Sequence, residues 1–133
     1  MSSPPAHLLK RSTQLVETYS KPWKMDGQRG FIKIKLAKPI KPGAFAYEHL
    51  LRSSILDENQ LTCSPKVFRV LGYEEGSDEP ILLGRYDYEI RYDNVETEFV
   101  FENVDNKISV MQFNVEANHG NTNYTCLHKI KVF

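Results

Sequence analysis

A chain of 133 residues, 41% hydrophobic and 26% charged, has the size and composition of one globular domain, which excludes global disorder. Its 17 basic and 17 acidic residues cancel, so charge gives no case for nucleic acid or an anionic membrane as the main partner. There is no run of about 20 apolar residues to span a bilayer, and the polar start Met1-Ser2-Ser3-Pro4-Pro5 lacks a signal-peptide core.

Residues 1–22 are weakly patterned, with Leu8-Leu9 and Leu15-Val16 as their apolar pairs. They read as an arm or irregular loop ahead of a single domain over 23–133. Phe31 to Leu36 alternates, with Ile32, Ile34 and Leu36 on one face and Lys33 and Lys35 on the other, the period of a half-buried strand. Pro39, Pro42 and Gly43 break it. Ala44 to His49 is a second strand, and the polar residues 50–64 read as a loop. Val67–Tyr73, Ile81–Tyr88 and Thr97–Phe101 are further strands, the first two separated by an acidic turn over 74–80. In 109–115, Met111, Phe113 and Val115 face away from Val110, Gln112 and Asn114. A turn cluster over 118–123 leads to the closing strand, Leu127–Phe133. About seven short strands without a long helix predict an all-β antiparallel sandwich or barrel.

The sequence shows no catalytic constellation. It has no GxSxG elbow, no HExxH and no phosphate-binding glycine loop. Gly27-Gln28-Arg29-Gly30 reads as a tight turn into a strand. The four histidines, His7, His49, His119 and His128, are scattered. No metal site is expected, because neither Cys63 nor Cys126 has ligand spacing. The two cysteines are consistent either with one bridge or with two buried thiols. Asn123-Tyr124-Thr125 is a glycosylation sequon, which matters only in a lumenal or secreted setting.

The segment Asn118 to Val132 resembles the close of SUN domains, approximately N-x-G-x-x-x-Y-T-C-[IL]-Y-R-[FI]-x-V. Further stretches fall in family order. Trp23 with Gly27 and Gly30 comes first, then Phe31 to Leu36 followed by Ile40-Lys41-Pro42, then Tyr47-Glu48-His49. Ser64-Pro65-Lys66-Val67-Phe68 and Leu82-Leu83-Gly84-Arg85-Tyr86 complete the set. Together they cover residues from about 8 to 133.

The resemblance implies a jelly-roll sandwich of the galactose-binding-like kind and a binding module, not an enzyme. It implies a homotrimer on an upstream coiled coil, in the perinuclear space, with an inner-nuclear-membrane anchor outside this chain. The isolated chain is compatible with a monomer. The implied partner is the C-terminal tail of a KASH protein of the outer nuclear membrane, and the pair forms the LINC bridge between nucleus and cytoskeleton. The family's pocket for the tail's carboxylate maps onto His49, Cys63, Tyr124 and His128. Cys63 stands for a serine and His128 for a tyrosine.

Pro22 stands where relatives have a cysteine bonded to the Cys of Y-T-C, so Cys126 is expected to lack its usual partner. A pairing with Cys63 stays open. The loop Leu15 to Lys21 matches the position of a monovalent-cation loop in relatives but lacks its proline-glycine-asparagine pattern. The KASH-clamping lid of relatives lies upstream of the matched stretch and is expected to be absent. Two other functions are carried beside the tether. One is a carbohydrate-binding module presenting Tyr86, Tyr88 and Tyr92, whose spacing fits strand packing equally. The other is a self-assembly domain of the nuclear envelope, with a meiotic or germline role.

Overall fold

The computed structural model describes residues 15–20, 23–50, 58–93, 95–102 and 104–133. In chain order its elements are β1 (Glu17–Tyr19), β2 (Trp23–Asp26), β3 (Gly30–Ile40), β4 (Ala44–Glu48), α1 (Glu58–Thr62), β5 (Pro65–Tyr73), β6 (Ile81–Asp87), β7 (Thr97–Val100), β8 (Ile108–Asn118), β9 (Tyr124–Leu127) and β10 (Lys129–Val132). They form two four-stranded sheets, ordered β1-β10-β4-β7 and β3-β8-β5-β6, and the pair β2-β9. Each of these pairings is antiparallel. This is the all-β sandwich expected, with the galactose-binding-like jelly roll as its type.

The core lies between the two four-stranded sheets. Phe45 of β4 meets Phe68 of β5 and Phe113 of β8 edge-on, with ring centroids 5.8 and 5.2 Å apart. It also stacks on Phe99 and Phe101 at 4.8 and 5.6 Å. One side chain thus joins the layers through the offset and edge contacts that aromatic quadrupoles favour. The alternation read in β8 puts Met111, Phe113 and Val115 in this core.

Several elements differ from the sequence reading. Glu17–Tyr19, within the supposed arm, is strand β1 and pairs with β10. Trp23–Asp26 is strand β2. The polar stretch 50–64 contains the helix α1, and residues 51–57 lie outside the described part. The supposed single closing strand is two, because the chain leaves β2 after Leu127 and joins β4 from Lys129. His128 sits at that switch.

Candidate functional site

The switch at His128 needs a partner for a backbone N–H that has left one ladder before joining the next. The Tyr47 hydroxyl supplies it, accepting from His128 N at 3.0 Å. The same hydroxyl lies 3.1 Å from His49 Nδ1 and 3.4 Å from the Cys126 carbonyl. The carbonyl of Gln60 can only accept, so His49 Nε2, 2.8 Å away, carries its proton. His49 Nδ1 is then the acceptor for the Tyr47 O–H. Burial pushes the Tyr47 hydroxyl well above the usual phenol range, so it stays protonated. Burial also holds the His49 imidazole below its ordinary value, with the Gln60 bond opposing that shift.

The His128 tautomer follows in the same way. Leu50 N donates to His128 Nδ1 at 2.8 Å, which leaves the neutral ring's proton on Nε2. The His49 and His128 rings stack parallel, 4.1 Å apart with 3° between planes. The ends of β4 and β9 are thereby locked together.

Helix α1 is positioned by its orphan carbonyls. Asn59 O accepts from Cys63 N, Leu61 O from Ser64 N and Thr62 O from Asn121 N. Gln60 O takes the His49 imidazole. Cys63 follows directly, and its own carbonyl accepts from Cys126 N at 2.8 Å. A polar stretch is therefore pinned to the closing segment through the Thr62 and Cys63 carbonyls and to the end of β4 through the Gln60 carbonyl.

The turn over 118–123 fixes the other wall. Asn118 Nδ2 donates to Asn121 O, Tyr124 O and Thr125 Oγ1 within 3.0 Å. Asn118 Oδ1 accepts from Gly120 N, where φ is +117° and a side chain would be strained. Thr125 Oγ1 donates to Gly27 O at 2.8 Å. With Thr125 and Leu127 buried inward, the strand alternation turns Tyr124 and Cys126 the other way.

These walls enclose an open cavity of about 220 Å³. Cys63, Tyr124 and His128 line it, together with Cys126, Leu50, Asn59 and Gln60. Three of the four residues singled out by sequence therefore meet at one opening. The fourth, His49, is behind His128, 1% exposed, with both nitrogens engaged inward. Lys24 has no evident role in the sequence pattern. It pairs with Cys126 across β2-β9, and its Nζ lies 4.0 Å from the centre of the Tyr124 ring. Gln60 Oε1 is buried without a hydrogen-bond partner.

Cys63 and Cys126 are both free thiols. Asn123 is exposed on its turn. Of the supposed cation loop, Glu17–Tyr19 is strand β1, and Lys21 and Pro22 lie outside the described residues. Among the described residues no group of three or more His, Cys, Asp or Glu could hold a metal. His119 donates to the Tyr88 carbonyl at 3.1 Å, a structural role. The three tyrosines do not make a sugar platform. Tyr88 is 1% exposed, and Tyr86 packs on Phe45 and Phe99 with its hydroxyl on Val100 O. Only Tyr92 of the three is exposed.

A family model described as Sad1/UNC-like C-terminal matches residues 2–133. The Klaroid protein of Drosophila melanogaster is 31% identical over 113 residues, which are 83% of this chain and 12% of that protein. SUN domain-containing protein 1 of Homo sapiens is 27% identical over 112 residues, 83% of this chain and 14% of that protein. The chain thus spans a small part of the length of these curated relatives. Among solved structures, CBM32-3 from a family 31 glycoside hydrolase of Clostridium perfringens superposes with a TM-score of 0.65 at 11% identity. That superposition covers 98% of this chain and 99% of the other, and likeness at that identity establishes the shared fold alone. Since the family match takes in nearly every residue, this chain belongs to the Sad1/UNC-like C-terminal family, the family of the SUN domains.

Proposed function

We propose that this chain is a perinuclear SUN domain that holds the C-terminal tail of a KASH protein and so forms one half of a LINC bridge. It works by binding, with no chemical step. In the whole protein the domain over 23–133 stands on a trimeric coiled coil anchored in the inner nuclear membrane.

The observation that carries this reading is the convergence of Cys63, Tyr124 and His128 on one open cavity beside the Lys24 ammonium. A terminal carboxylate needs several donors in a partly desolvated pocket, where charge-assisted bonds are about twice as strong as neutral ones. Here the donors are the Tyr124 phenol, the Nε2–H of His128 and the Cys63 thiol, and Lys24 adds positive charge. The buried, unpartnered Gln60 Oε1 offers an acceptor for a backbone N–H of the incoming tail. His49 acts one step back, holding the plane of the His128 ring.

Titration of a labelled KASH tail into the wild-type chain and Tyr124→Phe tests the assignment. Loss of the hydroxyl is expected to weaken binding by about 1–3 kcal/mol. Equal affinity for the two proteins would remove Tyr124 from the pocket, and failure of the wild type to bind would contradict the function.

A further inference from the structure

We propose that Cys126 and Cys63 form a modification site for thiol–disulfide exchange, closing on each other as a reversible disulfide in the wall of the tail pocket. The geometry is the main support. The two residues are joined by a main-chain bond of 2.8 Å from Cys126 N to Cys63 O. Covalent lengths on either side of that bond hold the two Cα atoms no more than roughly 6.7 Å apart, inside the roughly 6.8 Å that a disulfide can span. Both thiols line the same cavity, where the Cys63 S–H lies 3.7 Å from the Gln60 carbonyl. The anchoring of Cys63 through the carbonyls of α1 and of Cys126 through its strand fixes this approach.

The two thiols are unequal, which sets the order of events. Cys126 is partly exposed in the cavity, and Cys63 is 3% exposed. The neighbouring Cys63 thiol, helped by the Lys24 ammonium, holds the Cys126 thiol below its ordinary range. The neighbouring Cys126 thiol and burial push Cys63 far above it. Cys126 is therefore the thiolate that meets an incoming reagent.

The co-reactant is a small disulfide of the glutathione class. The Cys126 thiolate attacks one sulfur of the reagent, forming a mixed disulfide as the reagent's S–S bond breaks and one thiolate departs. Cys63 then gives up its proton to a departing thiolate and attacks the Cys126 sulfur. The Cys63–Cys126 bond forms, and the second reagent thiolate leaves. Two protein thiols are oxidised and one reagent disulfide is reduced to two thiols.

Closure consumes the Cys63 S–H, one of the donors assigned to the tail carboxylate. Resting on the function proposed above, oxidation should therefore weaken tail binding about fivefold, the loss of one weak hydrogen bond. The bond itself is tested without any tail. The chain is equilibrated with reduced and oxidised glutathione, quenched by acid, and read by intact mass and non-reducing peptide mapping. The expected product is lighter by two hydrogens, with a Cys63–Cys126 cross-link. Cys63→Ser, unable to complete the exchange, should instead accumulate a glutathione adduct on Cys126. A wild-type chain that stays a dithiol, keeps the adduct or links only between molecules would overturn the proposal. Tail affinity of the oxidised and reduced wild type is then compared. A cross-link that leaves the affinity unchanged would detach the disulfide from the pocket. Absence of tail binding in both states would overturn the function while leaving the cross-link intact.

Discussion

The Tyr47 hydroxyl joins the end of β4 to the switch between β9 and β10, through His49 Nδ1, His128 N and the Cys126 carbonyl. Its neighbour His49 is kept neutral by burial. The sign of the resulting pH dependence is fixed. The unfolded chain protonates His49 as pH falls through ~6.5, whereas the folded chain resists until a lower pH. Stability should thus be constant in this respect above ~6.5, and should fall as pH drops from there towards the lowered native value. Urea midpoints across that window would show the loss, and His49→Gln should flatten part of the slope. An unchanged slope in the variant would remove His49 as its source. At this scale the resemblance in Asn118 to Val132 made Tyr124 and His128 legible as a pair. It did not make legible that His49 faces inward, which follows from the Gln60 carbonyl of a helix not foreseen. Lys24 was hidden for a similar reason: it reaches Tyr124 only through the register of β2 and β9, and register is a long-range property.

Among the elements, the strands with clear alternation or a hydrophobic run were legible: β4, β5, β6, β7 and β8 fall where the pattern puts them, while β3 does so over Phe31 to Leu36 but runs on through Pro39 to Ile40, past the expected break, with a register irregularity after Lys35. The helix α1 was not, because five polar-rich residues carry no helical periodicity and the helix is held by tertiary bonds to its carbonyls. β1 is three residues long and takes its place from β10. The division of β9 from β10 was illegible because Leu127, Ile130 and Val132 read as one apolar run, while the switch depends on Tyr47. A prediction belongs to β6. Tyr86 folds over Gly84, so a Cβ there would collide with the Tyr86 ring and hydroxyl. That ring packs on Phe45, Phe99 and Phe101. Gly84→Ala is therefore expected to cost about 1–3 kcal/mol by overpacking, read as a lowered midpoint of chemical unfolding. A midpoint equal to the wild type's would show that the ring yields freely.

At the scale of the whole molecule, the sandwich gathers the residues of the cavity at one place. There, β9 leaves β2, β4 ends, and α1 docks. Each contributes one piece: β9 brings Tyr124 and Cys126, the end of β4 brings the ring that stacks on His128, and α1 delivers Cys63. The fold was legible because alternation and aromatic content specify a two-layer core. The cavity was legible only as a set of family positions, since its shape depends on carbonyls and turns, and on the bonds of Asn118 above all. The same sandwich is shared with carbohydrate-binding modules, so fold alone does not separate the functions. The most direct measurement is titration of the reduced chain with a KASH tail ending in a free carboxylate, against the same tail amidated. The account predicts that the free acid binds at least about tenfold tighter, because charge-assisted bonds to Tyr124 and His128 and the field of Lys24 act only on the carboxylate. Equal affinity for the two tails, or no binding of either, would contradict it.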